Sequence, residues 1–279
     1  MNLSFNLKRI FFFLALSISC QAQEGLHLRN INLPCLEKNF NVYVHLSVDS
    51  ITRRPYLGTT DVNQLMDEVS EFFEPICVSF SACEINVLEN YTFHEIVDTQ
   101  RITELEILFG KPRRLNVYIL GTIPNTSCGT STYYGIHKEA GESIFLETDQ
   151  CSDQLAGQLA HHLGHYFGLT DTYHGNDIEI VDDPDCAIKG DSICDTPTDP
   201  FGVYLDLPGQ YRDVEPEQVA TSDFVRSCEF ILPHLDPNGA YYQPQVGNIM
   251  SAYSCKCGFT NGQFLKMIDN YNSASTKPY

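Results

Sequence analysis

The string His161-His162-Leu163-Gly164-His165 sets two imidazoles four residues apart. On a helix such residues project from one face, so His161 and His165 can give two nitrogens to one tetrahedral zinc ion. Gly168 lets the chain turn sharply, and Asp171, six residues beyond His165, offers a carboxylate that can swing back as a third ligand. Three protein ligands leave one position of the metal open, as metal-assisted hydrolysis requires. A bare His pair at this spacing also arises by chance on helix surfaces. The glycine and the ligand-type residue at these offsets tip the balance toward metal. A second marker lies downstream, Asn248-Ile249-Met250-Ser251, followed by a cysteine and a short helical pattern.

These residues need elements to position them. Leu155, Leu159 and Leu163 recur every four residues, which predicts a helix over 152–168 with one buried face, ended by Gly168. Upstream, 40–48 (FNVYVHLSV), CVSFSA, the stretch near INVL, RLNVYILG, GTSTYYGI (129–136) and ESIFLE read as strands, with a loop at 137–141. Val62, Leu65, Met66, Val69 and Phe72 fall at helical spacing behind Asp61 as cap, and Asp98–Leu108 fits a second short helix. Residues 172–247 are rich in Asp, Pro and Gly and read as a long looped segment pinned by Cys186, Cys194 and Cys228. A final helix is expected at Thr260–Tyr271, capped by Thr260. This order of elements predicts an α+β domain of two unequal lobes, about 36–168 and 169–279, with a cleft where the His-bearing helix hands over to the looped part.

Composition narrows the partners. The chain has 279 residues, 43% hydrophobic and 19% charged, enough to bury a core. Its 36 acidic against 17 basic residues give a net charge of −19, a field that repels phosphate backbones and argues against nucleic acid. Lys8 and Arg9 precede an apolar run from Ile10 to Ile18, and Cys20 and Ala22 are small residues at the −3 and −1 positions of a cut before Gln23. Residues 1–22 therefore read as a secretory signal, and the run is too short for a transmembrane segment. The cysteines left after cleavage are even in number and contain no CxxC, which favours disulfides in an exported chain over a Cys-ligated metal. Asn90 and Asn125 fit glycosylation acceptors, and His174 and His234 read as exposed loop residues, His174 being the reserve ligand to Asp171. Oligomeric state is left open.

HHLGHYFGLTD at 161–171 resembles the metzincin zinc motif H-E-x-x-H-x-x-G-x-x-H/D, and NIMS at 248–251 resembles its Met-turn. GDSICDTPTDP at 190–200 is similar to the pappalysin-type branch of secreted, ulilysin-like metallopeptidases, as are NVYVH, ICVSF, LNVYILG and CGFTNGQFLKM. The resemblance covers most of residues 40–270. It implies a metzincin-like zincin fold: a twisted mixed sheet with two long helices above a cleft, and an irregular C-terminal lobe carrying the Met-turn and a terminal helix. It further implies Zn²⁺ on His161, His165 and Asp171, with Met250 in the hydrophobic floor beneath the metal. Structural Ca²⁺ would bind at Asp191, Thr196 and the Ile193 carbonyl. The partner would be an extended peptide or an extracellular protein lying in the cleft.

The departures from that pattern bear on chemistry. The residue after the first ligand should be a Glu that takes the proton of the attacking water; here it is His162. The family also has a Tyr two residues after the Met, supporting the oxyanion; here that place is Ala252, with Tyr253 one further on. Loss of a positioned base removes roughly 10²–10⁴-fold in rate, and loss of one oxyanion donor about 2.7–4 kcal/mol. The expectation is a secreted homologue that keeps a variant zinc site and binds peptide or protein with peptidase activity weak or lost. The alternative is an active zinc endopeptidase with His162 as base.

Overall fold

The computed structural model describes residues 33–96, 98–123, 128–131, 142–149, 151–152, 154–175, 179–201, 225–226, 228–231 and 235–274. The signal at 1–22, Asn125, most of the strand expected through 136, the 137–141 loop and His234 lie outside them. The described residues divide into two compact units, one spanning 33–170 together with 263–274, the other spanning 171–262.

The first unit is built on a five-stranded, mostly parallel sheet. Its strands are β1 (Lys38–Ser47), β2 (Val78–Leu88), β3 (Leu115–Leu120), β4 (Gly129–Ser131) and β5 (Glu142–Glu147), in the order β2-β1-β3-β5-β4. β1 runs parallel to β2 and β3, and β3 parallel to β5; only β4, at one edge, is antiparallel. Parallel neighbours need crossovers. Helix α1 (Thr59–Phe73) joins β1 to β2, and α2 (Thr99–Phe109) lies between β2 and β3. All six residues of β3 are buried, which accounts for an apolar run interrupted only by the hydrogen-bonded Asn116. His45, Tyr118 and Phe145 are in register across β1, β3 and β5. Their rings stack, with centroids 4.4 and 4.7 Å apart, in a ladder through the middle of the sheet.

Several local expectations are corrected. Asp61 does not cap α1. Gly58 is the N-cap, and the Asp61 carboxylate reaches back to accept from the Gly58 N–H at 2.9 Å, while Phe73 rather than Phe72 ends the buried face. Asp98 is the cap of α2, accepting from the Arg101 N–H at 2.9 Å. CVSFSA and INVL are one strand, β2, kept continuous by a bulge: Val42 pairs with Ala82 and Tyr43 with Glu84, so Cys83 is the extra residue. The terminal helix α4 (Asn261–Ser273) is capped from far away. Asp195 accepts from both the Thr260 hydroxyl and the Gly262 N–H at 2.7 Å, so Thr260 serves the true cap. Beyond residue 262 the helix belongs with the sheet, where Tyr271 meets Phe40 edge-on.

Among its described residues the second unit has little regular structure beyond the hairpin of β6 (Val225–Arg226) and β7 (Glu229–Phe230). A small core of Val246 and Tyr253, with Phe201, Val225, Cys228 and Phe230 packed on it, holds it together. Among the described residues four cysteine pairs lie at disulfide distance, Cys35–Cys77 and Cys128–Cys151 in the first unit and Cys186–Cys194 and Cys228–Cys255 in the second. Contrary to the even count, Cys83 is a free thiol at its bulge. Among the described residues no helix is long and apolar enough to cross a membrane.

The ring ladder has a thermodynamic signature. Burial is the main cause that lowers the His45 pKa from its ordinary 6.5; a hydrogen bond to Asn116 opposes it. The unfolded chain takes a proton near 6.5 while the folded state resists one until lower pH. Stability from this group is therefore present above 6.5 and is lost as pH falls through that value toward the folded pKa. Urea unfolding followed from pH 8 to pH 5 should show falling stability, with a shallower slope in His45→Gln; equal slopes would contradict the assignment.

Candidate metal centre

Helix α3 (Leu155–Tyr166) carries the histidines, shorter than the expected 152–168. Leu155, Leu159 and Leu163 are buried along one face, which sets the rotation of the helix and so the direction of the imidazoles. His161 Nε2 and His165 Nε2 face each other at 3.1 Å. His161 remains partly exposed, whereas His162 and His165 are buried, at 7% and 3% exposure.

The chain beyond the helix fixes the ring of His165. Gly168 has φ +84°, left-handed, and a Cβ there would stand 2.4 Å from Asn270 Nδ2. Asn270 Nδ2 donates to the Phe167 carbonyl at 2.9 Å and closes the turn. The Leu169 N–H then donates to the Gly164 carbonyl, and the Leu169 carbonyl comes back to 3.0 Å from His165 Nδ1. A carbonyl only accepts, so Nδ1 carries the hydrogen and Nε2 keeps its lone pair, facing His161. Many metal-binding histidines are oriented this way, by a hydrogen bond from the ring nitrogen that does not ligate.

His162 joins them. One ring nitrogen from each of His161, His162 and His165 lies within 4.8 Å of the others, a cluster that could hold a metal ion. Sequence reasoning gave His162 the place of a base; the structure puts it in the same cluster as His161 and His165. Strand β4 leaves room for it at Gly129, where a Cβ would meet the Phe145 carbonyl at 2.6 Å and His162 Nε2 at 3.0 Å. Gly129 was not singled out in the sequence, since nothing in one strand announces which helix will press on it.

Asp171 opens the second unit, and there its carboxylate interacts with the Lys256 ammonium. Burial pulls the Lys256 pKa down to about 8, and the Asp171 and Asp199 carboxylates oppose that pull. Lys256 Nζ donates to the carbonyls of Ile249 and Ser251, on either side of Met250. Met250 is fully buried; its N–H donates to Asn248 Oδ1 at 2.9 Å, and its carbonyl accepts from the Thr172 N–H at 3.0 Å. Tyr253 is fully buried as well, with its hydroxyl donated to Asp199 Oδ1 at 2.9 Å; Asp199 Oδ2 accepts from Thr172 Oγ1 at 2.8 Å. Burial raises the Asp199 pKa despite these donors. His174 is exposed in a turn.

At the acidic turn, Asp191 accepts from the Ile193 N–H at 2.9 Å and from the Thr196 hydroxyl, which also donates to the Ile193 carbonyl. The three expected residues are thus together and already hydrogen-bonded to one another. Sequence reasoning missed their neighbour Glu179. It is buried against Gly190, and burial, then Asp191 and Asp183, push its pKa up to about 7. Asp199 and Lys256 were missed too: Asp199 lies inside the GDSICDTPTDP stretch, but only the folded contacts mark either of them.

No family model and no curated protein matches the chain. Among solved structures, metalloproteinase-II from Bacteroides fragilis aligns with 58% of this chain and 53% of its own, at 9% identity and a TM-score of 0.34. The chain thus spans about half the length of that structure, and so loose a likeness carries no argument here.

The Tyr253–Asp199 bond gives a stability test. Tyr253→Phe leaves a buried carboxylate short of a donor and should cost about 1–3 kcal/mol in urea unfolding. A variant as stable as the parent would show that the hydroxyl contributes nothing.

Proposed function

We propose that this is an exported metal-binding protein of metallopeptidase-like design whose peptidase chemistry is weak or lost, and which binds an extended peptide or protein segment. The observation that carries the proposal is the 3.1 Å approach of His161 Nε2 and His165 Nε2, with His165 Nδ1 committed to the Leu169 carbonyl. Two buried or half-buried imidazoles facing each other this closely suit a shared cation. Zinc is the ion that the motif at 161–171 implies. Asp171 enters as a further ligand on its sequence position alone.

The pattern of donors explains the weakened chemistry. Zinc at such a centre supplies Lewis acidity. Hydrolysis would also need a base beside it and a donor for the oxyanion. No carboxylate follows His161, and the Tyr253 hydroxyl is spent on Asp199. Binding needs neither. β4 is an edge strand, so its outer side can pair with an extended chain by main-chain hydrogen bonds, on the strand that also carries Gly129 beside His162. Export rests on the leader-like residues 1–22, and four disulfide-distance pairs accord with it.

Calcium belongs to the same proposal. Burial, then repulsion from Asp191 and Asp183, raises Glu179, and a divalent cation at Asp191, Glu179, Thr196 and the Ile193 carbonyl would offset both.

Elemental analysis of purified protein should find zinc that a chelator removes, with no chelator-sensitive cleavage of a peptide library. Protein free of metal under zinc loading would sink the proposal. Efficient chelator-sensitive cleavage would replace it with a working endopeptidase. His162→Glu should raise cleavage if the base alone is missing. Added Ca²⁺ should raise the melting temperature of the parent but not of Glu179→Gln; identical shifts would remove calcium from that turn.

A further inference from the structure

We propose that His162 is itself a metal ligand rather than a substitute for the missing base. This rests on the metal-binding proposal above and deepens it. The three histidines sit at positions i, i+1 and i+4. At about 100° per residue they span roughly 100° of the helix circumference, with His165 between the other two and one turn along. The geometry agrees: the His162 ring centroid is 5.2 Å from that of His161 and 6.1 Å from that of His165, and one nitrogen of each ring lies within 4.8 Å of the others.

The surroundings separate a ligand from a base. A general base must reach both a water and a proton on the substrate. His162 is 7% exposed and lies against β4 at a glycine that admits no side chain. Such a ring is badly placed to exchange protons with a substrate, and well placed to hold one nitrogen steadily toward its two neighbours on the helix. Gathering three imidazoles on barely more than one turn has a simple rationale if their lone pairs share a cation. An all-imidazole set suits borderline divalent ions, with Zn²⁺, Cu²⁺ and Ni²⁺ as the candidate class. The same substitution that removes the base adds a nitrogen able to hold the metal, and so turns the centre toward metal retention.

X-ray absorption fine structure of the full chain loaded with Zn²⁺ counts the imidazoles directly. Three are expected; two, with zinc bound, would overturn the assignment of His162 and leave the metal proposal standing. No zinc uptake would overturn both. Competition with a chromophoric chelator gives the second readout. His162→Phe should weaken Zn²⁺ binding by at least the roughly 10–100-fold that loss of even an outer-shell partner produces; unchanged affinity would overturn the assignment. The absorption measurement uses the unmodified protein, so it decides the matter even if that variant fails to fold.

Discussion

One carbonyl governs the histidine cluster. The Leu169 oxygen, 3.0 Å from His165 Nδ1, holds the hydrogen on that nitrogen and leaves Nε2 to face His161. It can be there only because Gly168 takes a left-handed conformation beside Asn270, where any side chain would collide. The pitch of α3 brings the imidazoles together, but it is this turn that selects the tautomer. The order of cause runs from a residue without a Cβ, to a reversed chain, to a hydrogen bond, to a lone pair aimed at its neighbour.

The rest of the first unit keeps that helix still. Its central strand β3 is buried on both faces, and the ladder of His45, Tyr118 and Phe145 ties three parallel strands in one register. That register also sets β4 on β5 and so delivers Gly129 to the ring of His162. The second unit relies less on apolar packing. Its turns are tied by buried charge: Asp199 gathers Thr172 and Tyr253, and Lys256 spans the carbonyls around Met250. Such networks hold a loop in one conformation at the expense of desolvated charge, which is why Lys256 is pulled down and Asp199 pushed up. Tyr253 is built into the core, where its hydroxyl compensates a buried acid.

Much was legible in the sequence because it is periodic or local. The strands and helices of the first unit, the His-bearing helix with its glycine end, and the irregularity of the described part of 172–247 all follow from apolar spacing and turn residues, and the sign of the net charge from composition. The pairing of His161 with His165 follows from helical pitch alone. What stayed hidden depends on partners far apart in the chain. Asp195 caps a helix more than sixty residues away, Gly129 makes room for His162, Cys83 is left over at a bulge, and Glu179 is driven toward neutrality by burial and by acids that fold next to it. The sequence by itself determined which residues could ligate. Only the tertiary structure decided that the replacement ring turns in beside the other two, because side-chain direction depends on which surface presses on the helix, and strand pairing sets that surface.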